Sequence, residues 1–387
     1  MKLKSLKYSR KEGEKAEWIL EGKPEKGQYG QYCTFDDINL IVGQNATGKT
    51  NTLKVIRELA DLLCGDIELA ELSYHSARYD IEFSNNRQKI VYALKFNQAK
   101  VSEEQLFING ESVLERDLGG VGKLVVDKTA SNRFKFKPTE NKLLVLIIRE
   151  ALQLPLFEAL YQWGKSLTHY QFGSQMGKDT MARLRDQNED FSLKSSSNAI
   201  SAFEKAKNRF GKEFIEMIQA DMAKMRYSIE EIGTAPLKRM KTHLDSAVAL
   251  FVKETDLNDT TDQSEMSQGL FRVLSLIVQL NYSLLAKVPS CILIDDIGEG
   301  LDYGRSKSLI DLIIKKAKDS KVQIFMTTND RFVMNNTALE YWSILNRSGQ
   351  KSLCINYRNS KKVFDEFELT GLSNFNFFSS NYFLKQD

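Results

Sequence analysis

Apolar residues recur at a spacing of two in some stretches of the chain and of three to four in others. Residues 2–8 and 16–21 read as strands, the second built on Trp18-Ile19-Leu20. Residues 21–30, rich in Gly, Lys and Glu, read as a hairpin region. The apolar run 38–42 marks a buried strand, and 50–64 carries the period of a helix. From 72 to 127 the chain is strand-like. Tyr79-Asp80-Ile81-Glu82-Phe83 alternates, Ile90 to Phe96 follows, and Asn85-Asn86 and Asn109-Gly110 suit turns.

Helical spacing takes over after about residue 141. Residues 143–154, 156–163, 199–225 and 236–252 are expected helices, and the polar stretch 173–198 an expected mobile loop. The last third alternates again: a helix at 270–285, a strand at 290–294, a helix at 305–318 and a strand at 322–327. Strand-like 342–345 and 353–357 follow, then a tail at 364–383 dense in Phe, Asn and Ser. Such alternation predicts an α/β fold with a largely parallel sheet. The pattern divides the chain into residues 1–140, a helical insertion or lid at 141–260, and 261–387.

Composition changes this picture little. The net charge of +3 over 387 residues gives no global basic signature for nucleic acid. Cys33, Cys64, Cys291 and Cys354 are far apart, as are His75, His169 and His243, so no zinc spacing arises. No apolar segment follows the basic N-terminus and no run is long enough to span a bilayer, so a cytoplasmic protein is expected.

Candidate chemistry changes it more. Gly43-Gln44-Asn45-Ala46-Thr47-Gly48-Lys49-Thr50 follows the strand 38–42 and opens the helix that includes Asn51. A strand, a glycine loop, Lys-Thr and a helix form a phosphate-binding P-loop. Its backbone N–H groups and the helix dipole favour an anion. Lys49 is expected to reach the β- and γ-phosphates, and the Thr50 hydroxyl to ligate Mg²⁺. A second site begins where the apolar run 290–294 ends in Asp295-Asp296. In a P-loop sheet the acidic Mg²⁺ partner belongs there. Asp295 would hold Mg²⁺ through water, and Asp296 would orient or deprotonate the attacking water.

Met266-Ser267-Gln268-Gly269 stands 28 residues before Asp295, counted from Ser267, and Gly300-Leu301-Asp302 follows the acids. With Thr328-Asn329-Asp330 at the end of the next strand, these segments resemble an ABC-type ATPase head of the SMC, RecF and OLD-like branch. The first is similar to the signature motif, 295–302 to Walker B and the D-loop, and Asn329 falls at the switch-histidine position. The resemblance covers 1–65 and about 260–360. It implies a P-loop NTPase with an ABC-type head: a mixed sheet around a central P-loop strand, an N-terminal β-rich subdomain and an inserted helical subdomain. It further implies ATP and Mg²⁺ as cofactors and a homodimer in which Ser267, Gln268 and Gly269 of one head complete the nucleotide site of the other. Asp296 replaces the usual glutamate and Asn329 the histidine, which leaves nucleotide binding and argues against fast hydrolysis. Gln88 and Gln98 are the candidates for the family's Q-loop glutamine.

The resemblance extends to ATPase subunits of bacterial anti-phage defence systems, which act with a separate effector, a nuclease or toxin, and sense nucleic acid; the tail 367–375 carries that likeness. The alternatives are a DNA repair ATPase of RecF/SMC type, the nucleotide-binding subunit of an ABC transporter, an OLD-type nuclease and a simple phosphotransferase. The transporter is disfavoured by the long stretch between Thr50 and Ser267, the nuclease by the lack of an acidic metal set after Asp302, and the phosphotransferase by the unexplained segment 266–272.

Overall fold

The computed structural model describes residues 1–385 apart from 25–30, 117–121, 126–132, 137–138, 153–154, 175–177, 179–181, 184–198, 237–246, 288–290 and 321. The chain forms two compact units, one of residues 1–165 with 338–387, the other of 166–337.

Unit one begins with β1 (Lys2–Arg10), β2 (Trp18–Gly22), β3 (Cys33–Thr34), β4 (Ile38–Val42) and α1 (Lys49–Cys64). An antiparallel arm follows: β5 (Ser76–Asn85), β6 (Gln88–Asn97), β7 (Lys100–Ile108), β8 (Glu111–Arg116), β9 (Gly122–Val125) and β10 (Arg133–Phe136). Then come α2 (Leu144–Leu152) and α3 (Pro155–Ser166). Strict alternation in β5 and β6 puts Tyr79, Ile81, Phe83, Ile90, Tyr92, Leu94 and Phe96 on one buried face. The arm is tied to α2 by the buried Glu104 of β7. Its carboxylate accepts the N–H groups of Leu144 at 2.7 Å and Val145 at 3.2 Å, and the Tyr92 hydroxyl at 3.0 Å. A carboxylate at a helix start satisfies donors that have no intrahelical acceptor.

Unit two contains β11 (Thr168–Gln171), β12 (Ala182–Arg183), α4 (Ala199–Phe210), α5 (Lys212–Lys224), β13 (Ile229–Ala235), β14 (Ala247–Glu254) and β15 (Thr261–Asp262). It continues with α6 (Gln268–Leu285), β16 (Cys291–Asp295), α7 (Tyr303–Ser320), β17 (Gln323–Thr327) and α8 (Arg331–Asn335). Strands β11, β16 and β17 pair in parallel, and β12, β14, β13 and β15 form a small antiparallel sheet. Every residue of β16 and β17 is buried, as expected for parallel strands covered on both faces. Helix α6 is buried throughout 270–283, the mark of a helix inside a core.

The chain returns to unit one with β18 (Trp342–Ser348), β19 (Lys351–Asn356), α9 (Lys361–Glu368) and α10 (Asn374–Ser379). The order in this sheet is β10-β9-β8-β7-β6-β5-β1-β2-β19-β18-β4. Here β19 runs parallel to β2 and β18 to β4, while β18 and β19 form an antiparallel hairpin. The expectation of a largely parallel sheet is therefore corrected: the sheet is mixed, because hairpins join β5 to β6 and β18 to β19. The tail packs as an aromatic knot in which Phe377 meets Phe364, Phe367, Tyr382 and Phe383.

One element-level expectation also changes. The helix expected at 236–252 is a strand over its C-terminal part, β14, paired with β13; 237–246 lie outside the described residues. Parallel strand β11 lies between the expected helix 156–163 and the expected loop 173–198, in a segment with no expected element. Most of the expected loop 173–198 lies outside the described residues. All four cysteines are free and buried. Among the described residues, no helix is long and apolar enough to cross a membrane.

Candidate functional site

The loop 43–50 belongs to unit one. Gly43 is required by crowding: a Cβ there would stand 2.5 Å from Thr47 Oγ1 and 2.9 Å from the Leu345 carbonyl oxygen. Gly48, at φ +107°, turns the chain into α1, and its Cβ would meet Trp18 at 2.9 Å. Lys49 is buried, and its ammonium donates to the carbonyls of Gly43 at 2.8 Å and Gln44 at 3.1 Å, drawing the loop around itself. Gln44, Asn45 and Ala46 form an exposed rim, while Thr50 and Asn51 are half-buried at the helix start. Helix α1 has no side-chain cap and no acid in its first turn. That donor set and local positive potential fit a nucleotide phosphate, and the Thr50 hydroxyl is of the chemistry that would hold a metal neutralising phosphate charge.

A buried relay holds the loop from behind. Trp18 Nε1 donates to Ser352 Oγ at 2.9 Å, and Ser352 donates to the Thr47 carbonyl at 2.7 Å. From the rim side, Arg347 Nη1 donates at 2.9 Å to the carbonyl of Ala46, a residue at φ +63°. Ser352→Ala removes the loop's bond and strands the Trp18 N–H. A stability loss of about 1–3 kcal/mol is expected in urea unfolding, with weaker ATP binding by titration. An unchanged ATP affinity would exclude the relay from loop positioning.

The acids belong to unit two. Asp295 ends β16 and is 6% exposed. Thr327, at the end of β17, donates to Asp295 Oδ1 at 2.5 Å and accepts the Asp296 N–H at 2.9 Å. Asp296 is half-buried in the left-handed region at φ +54°. One hydroxyl thus holds the Asp295 carboxylate and the Asp296 backbone at the carboxyl end of parallel strands, where open α/β sheets bind ligands.

Ser267 caps α6, accepting the Leu270 N–H at 3.2 Å, and it is exposed together with Gln268. Gly269 packs on the next turn, its Cβ position 3.5 Å from Leu301 and 3.6 Å from the Gly300 carbonyl oxygen. Asp302 caps α7: it accepts the Arg305 N–H at 3.0 Å and pairs with the Arg305 guanidinium at 2.9 Å. That N–H and guanidinium, with the Gly304 N–H, hold its carboxyl below the usual aspartate range. Asn329 is exposed beyond β17, just before Asp330 caps α8 through the N–H groups of Phe332 and Val333.

Sequence reasoning missed three contributors. Gln171 ends β11 in direct parallel register with Asp295, and the Phe172 N–H donates to the Asp295 carbonyl at 2.9 Å. Gln88 and Gln98 instead lie in the β6 region of the unit-one arm. The other two are Thr327 and the Trp18–Ser352 relay. Thr327 was legible as a hydroxyl ending a buried strand; the relay joins residues 334 apart and left no local signal.

The P-loop of one unit and the acid-tipped parallel strand and serine-capped buried helix of the other carry a likeness to an ABC-type ATPase head of the SMC/RecF-like branch, and two comparisons support it. DNA replication and repair protein RecF of Staphylococcus haemolyticus is 24% identical over 354 residues, covering 78% of this chain and 91% of that protein. The crystal structure of an SMC head bound to the C-terminal winged-helix domain of ScpA matches with a TM-score of 0.54 at 15% identity, covering 94% of this chain and 100% of the other. No protein-family model matches the chain.

Proposed function

We propose that the chain binds ATP and Mg²⁺ between two copies of itself and uses binding and slow hydrolysis as a switch that controls a partner. Residues 43–51 grip the nucleotide, Thr50 and Asp295 hold the metal, Asp296 activates water, and Gln171 orients the metal-bound face. Asn329 donates to phosphate, and Asp302 sits beside the shared interface. Ser267, Gln268 and Gly269 of the second copy close the γ-phosphate side. The observation that carries this reading is the exposed, serine-capped start of α6, with no acid in its first turn. It is an anion site that faces outward. Of residues 141–260, the part that follows β11 is then the variable insertion that meets a partner.

A ligand held by two copies drives association only by its differential affinity for the pair. The test is complementation. Lys49→Ala loses phosphate binding and Ser267→Arg blocks pairing, so each alone should be inactive. Their mixture should recover turnover, because one composite site is intact. Mixtures that stay inactive while both variants fold would overturn the paired-head reading.

For the role of the switch, the reading favoured here is sensing of nucleic acid and control of a separate nuclease or toxin in anti-phage defence. The second is DNA repair, supported by the likeness to RecF. Turnover with and without DNA at low salt, where phosphate contacts are strongest, tests nucleic-acid sensing: no stimulation and no binding would remove it. Identification of a nuclease or toxin in a pull-down from the native host would favour defence over repair.

A further inference from the structure

Arg272 lies in α6 shortly after the Ser267 cap and is 6% exposed. Its guanidinium is satisfied by three backbone carbonyls. Nε donates to Ser174 at 2.8 Å, Nη2 to Gly173 at 2.9 Å and Nη1 to Glu299 at 3.0 Å. Two of these carbonyls belong to the turn that follows Gln171, which is itself closed by the Ser174 N–H and hydroxyl on the Gln171 carbonyl at 2.9 and 2.6 Å. The third belongs to the turn that follows Asp296, closed by the Glu299 N–H on the Asp296 carbonyl at 3.3 Å. These turns approach closely only because residue 173 is glycine. A Cβ there would stand 2.3 Å from Glu299 Oε2 and 3.0 Å from Asp296 Cβ. The Gly300 Cβ position likewise lies 3.2 Å from Arg272 Nη1.

We propose that Arg272 is a positioning residue that fixes the mutual register of the α6 start, the Gln171 turn and the Asp296 turn within one copy. Guanidinium is planar and its donors diverge in a rigid fork. Hydrogen bonds weaken steeply when bent or stretched. A shift of the α6 start therefore cannot be absorbed without moving the turn behind Asp296. The reading rests on the paired-head function. When Ser267 of one copy engages its partner's nucleotide, Arg272 carries that engagement to Asp296, which serves the copy's own nucleotide. The two composite sites become coupled through each copy.

The complementation mixture tests this directly. In it, the Lys49→Ala copy supplies Ser267 and the Ser267→Arg copy supplies Asp296. Arg272→Lys keeps the charge and loses the fork. It is placed first in one copy and then in the other, with ATP affinity and thermal unfolding measured for each protein. Expected is a loss of recovered turnover on the order of 100-fold with either placement, and ATP affinity within about twofold. The proposal is overturned if either placement leaves turnover intact, since Arg272 would then serve one turn only. It is also overturned if ATP affinity or the unfolding midpoint falls in step with turnover, the outcome of a merely structural role. An inactive unmodified mixture sinks the paired-head reading; an active one that ignores Arg272→Lys sinks only this proposal.

Discussion

Asp296→Asn is expected to leave ATP bound and the head pair assembled while turnover falls by a factor on the order of 100 to 10,000. Two backbone constraints hold Asp296 in place. Its backbone is fixed from the N–H side by Thr327 Oγ1, and its φ of +54° lies where aspartate and asparagine are both tolerated. Neither constraint uses the side-chain carboxylate. Asparagine therefore keeps the turn and loses the base, so a loss of rate reports on chemistry and not on folding. Phosphate release measures the rate, and light scattering with and without ATP measures the pair. Persisting pairs with slow turnover would fit a switch released by hydrolysis. Unchanged turnover would exclude Asp296 as the base, and loss of ATP binding would assign it to gripping nucleotide.

The parts of this site legible in the sequence are those written in consecutive residues. The loop 43–50 carries its own glycines, lysine and threonine, and its strand and helix flank it directly. Strand β16 is a five-residue buried run whose last residue is Asp295. The serine before α6 is a local cap followed by a long apolar helix. Other parts depend on partners that sequence spacing does not reveal. Strand β11 has only four residues, and its identity comes from pairing with β16 across more than a hundred positions. Arg272 in an apolar helix looks like an isolated charge until its acceptors appear 98, 99 and 27 residues away. The misread stretch at 236–252 fails for a different reason. Val248, Ala249, Leu250 and Val252 are buried in β14. A short apolar run fits either a helix face or a buried strand, and only its pairing with β13 decides.

Unit two also contains a residue whose loss should destabilise the protein strongly. Asp221 of α5 has a side chain 3% exposed, and it accepts Lys316 Nζ of α7 at 2.7 Å and Asn281 Nδ2 of α6 at 3.0 Å. Lys316 also donates to Asn281 Oδ1 at 2.7 Å, so three helices meet in one polar knot. Asp221→Ala leaves the ammonium of Lys316, 13% exposed, without its anion. Breaking one side of a buried pair costs about 3–5 kcal/mol, expected as a large fall in the urea midpoint. Lys224 also pairs with Asp221, at 3.0 Å, but is 55% exposed, and Lys224→Ala should cost under about 1 kcal/mol. The contrast identifies burial, not the number of ion pairs, as the source of the effect. Replacing the knot as a whole sharpens it. The triple variant Asp221→Leu, Asn281→Leu and Lys316→Met leaves no stranded charge and should recover most of the lost stability. A triple variant as unstable as Asp221→Ala would place the cost in packing of α5 against α6 and α7. A stable triple variant with impaired turnover would show that the knot, joining the helix that begins at Ser267 to the one that begins at Asp302, sets geometry that an apolar core of the same volume does not.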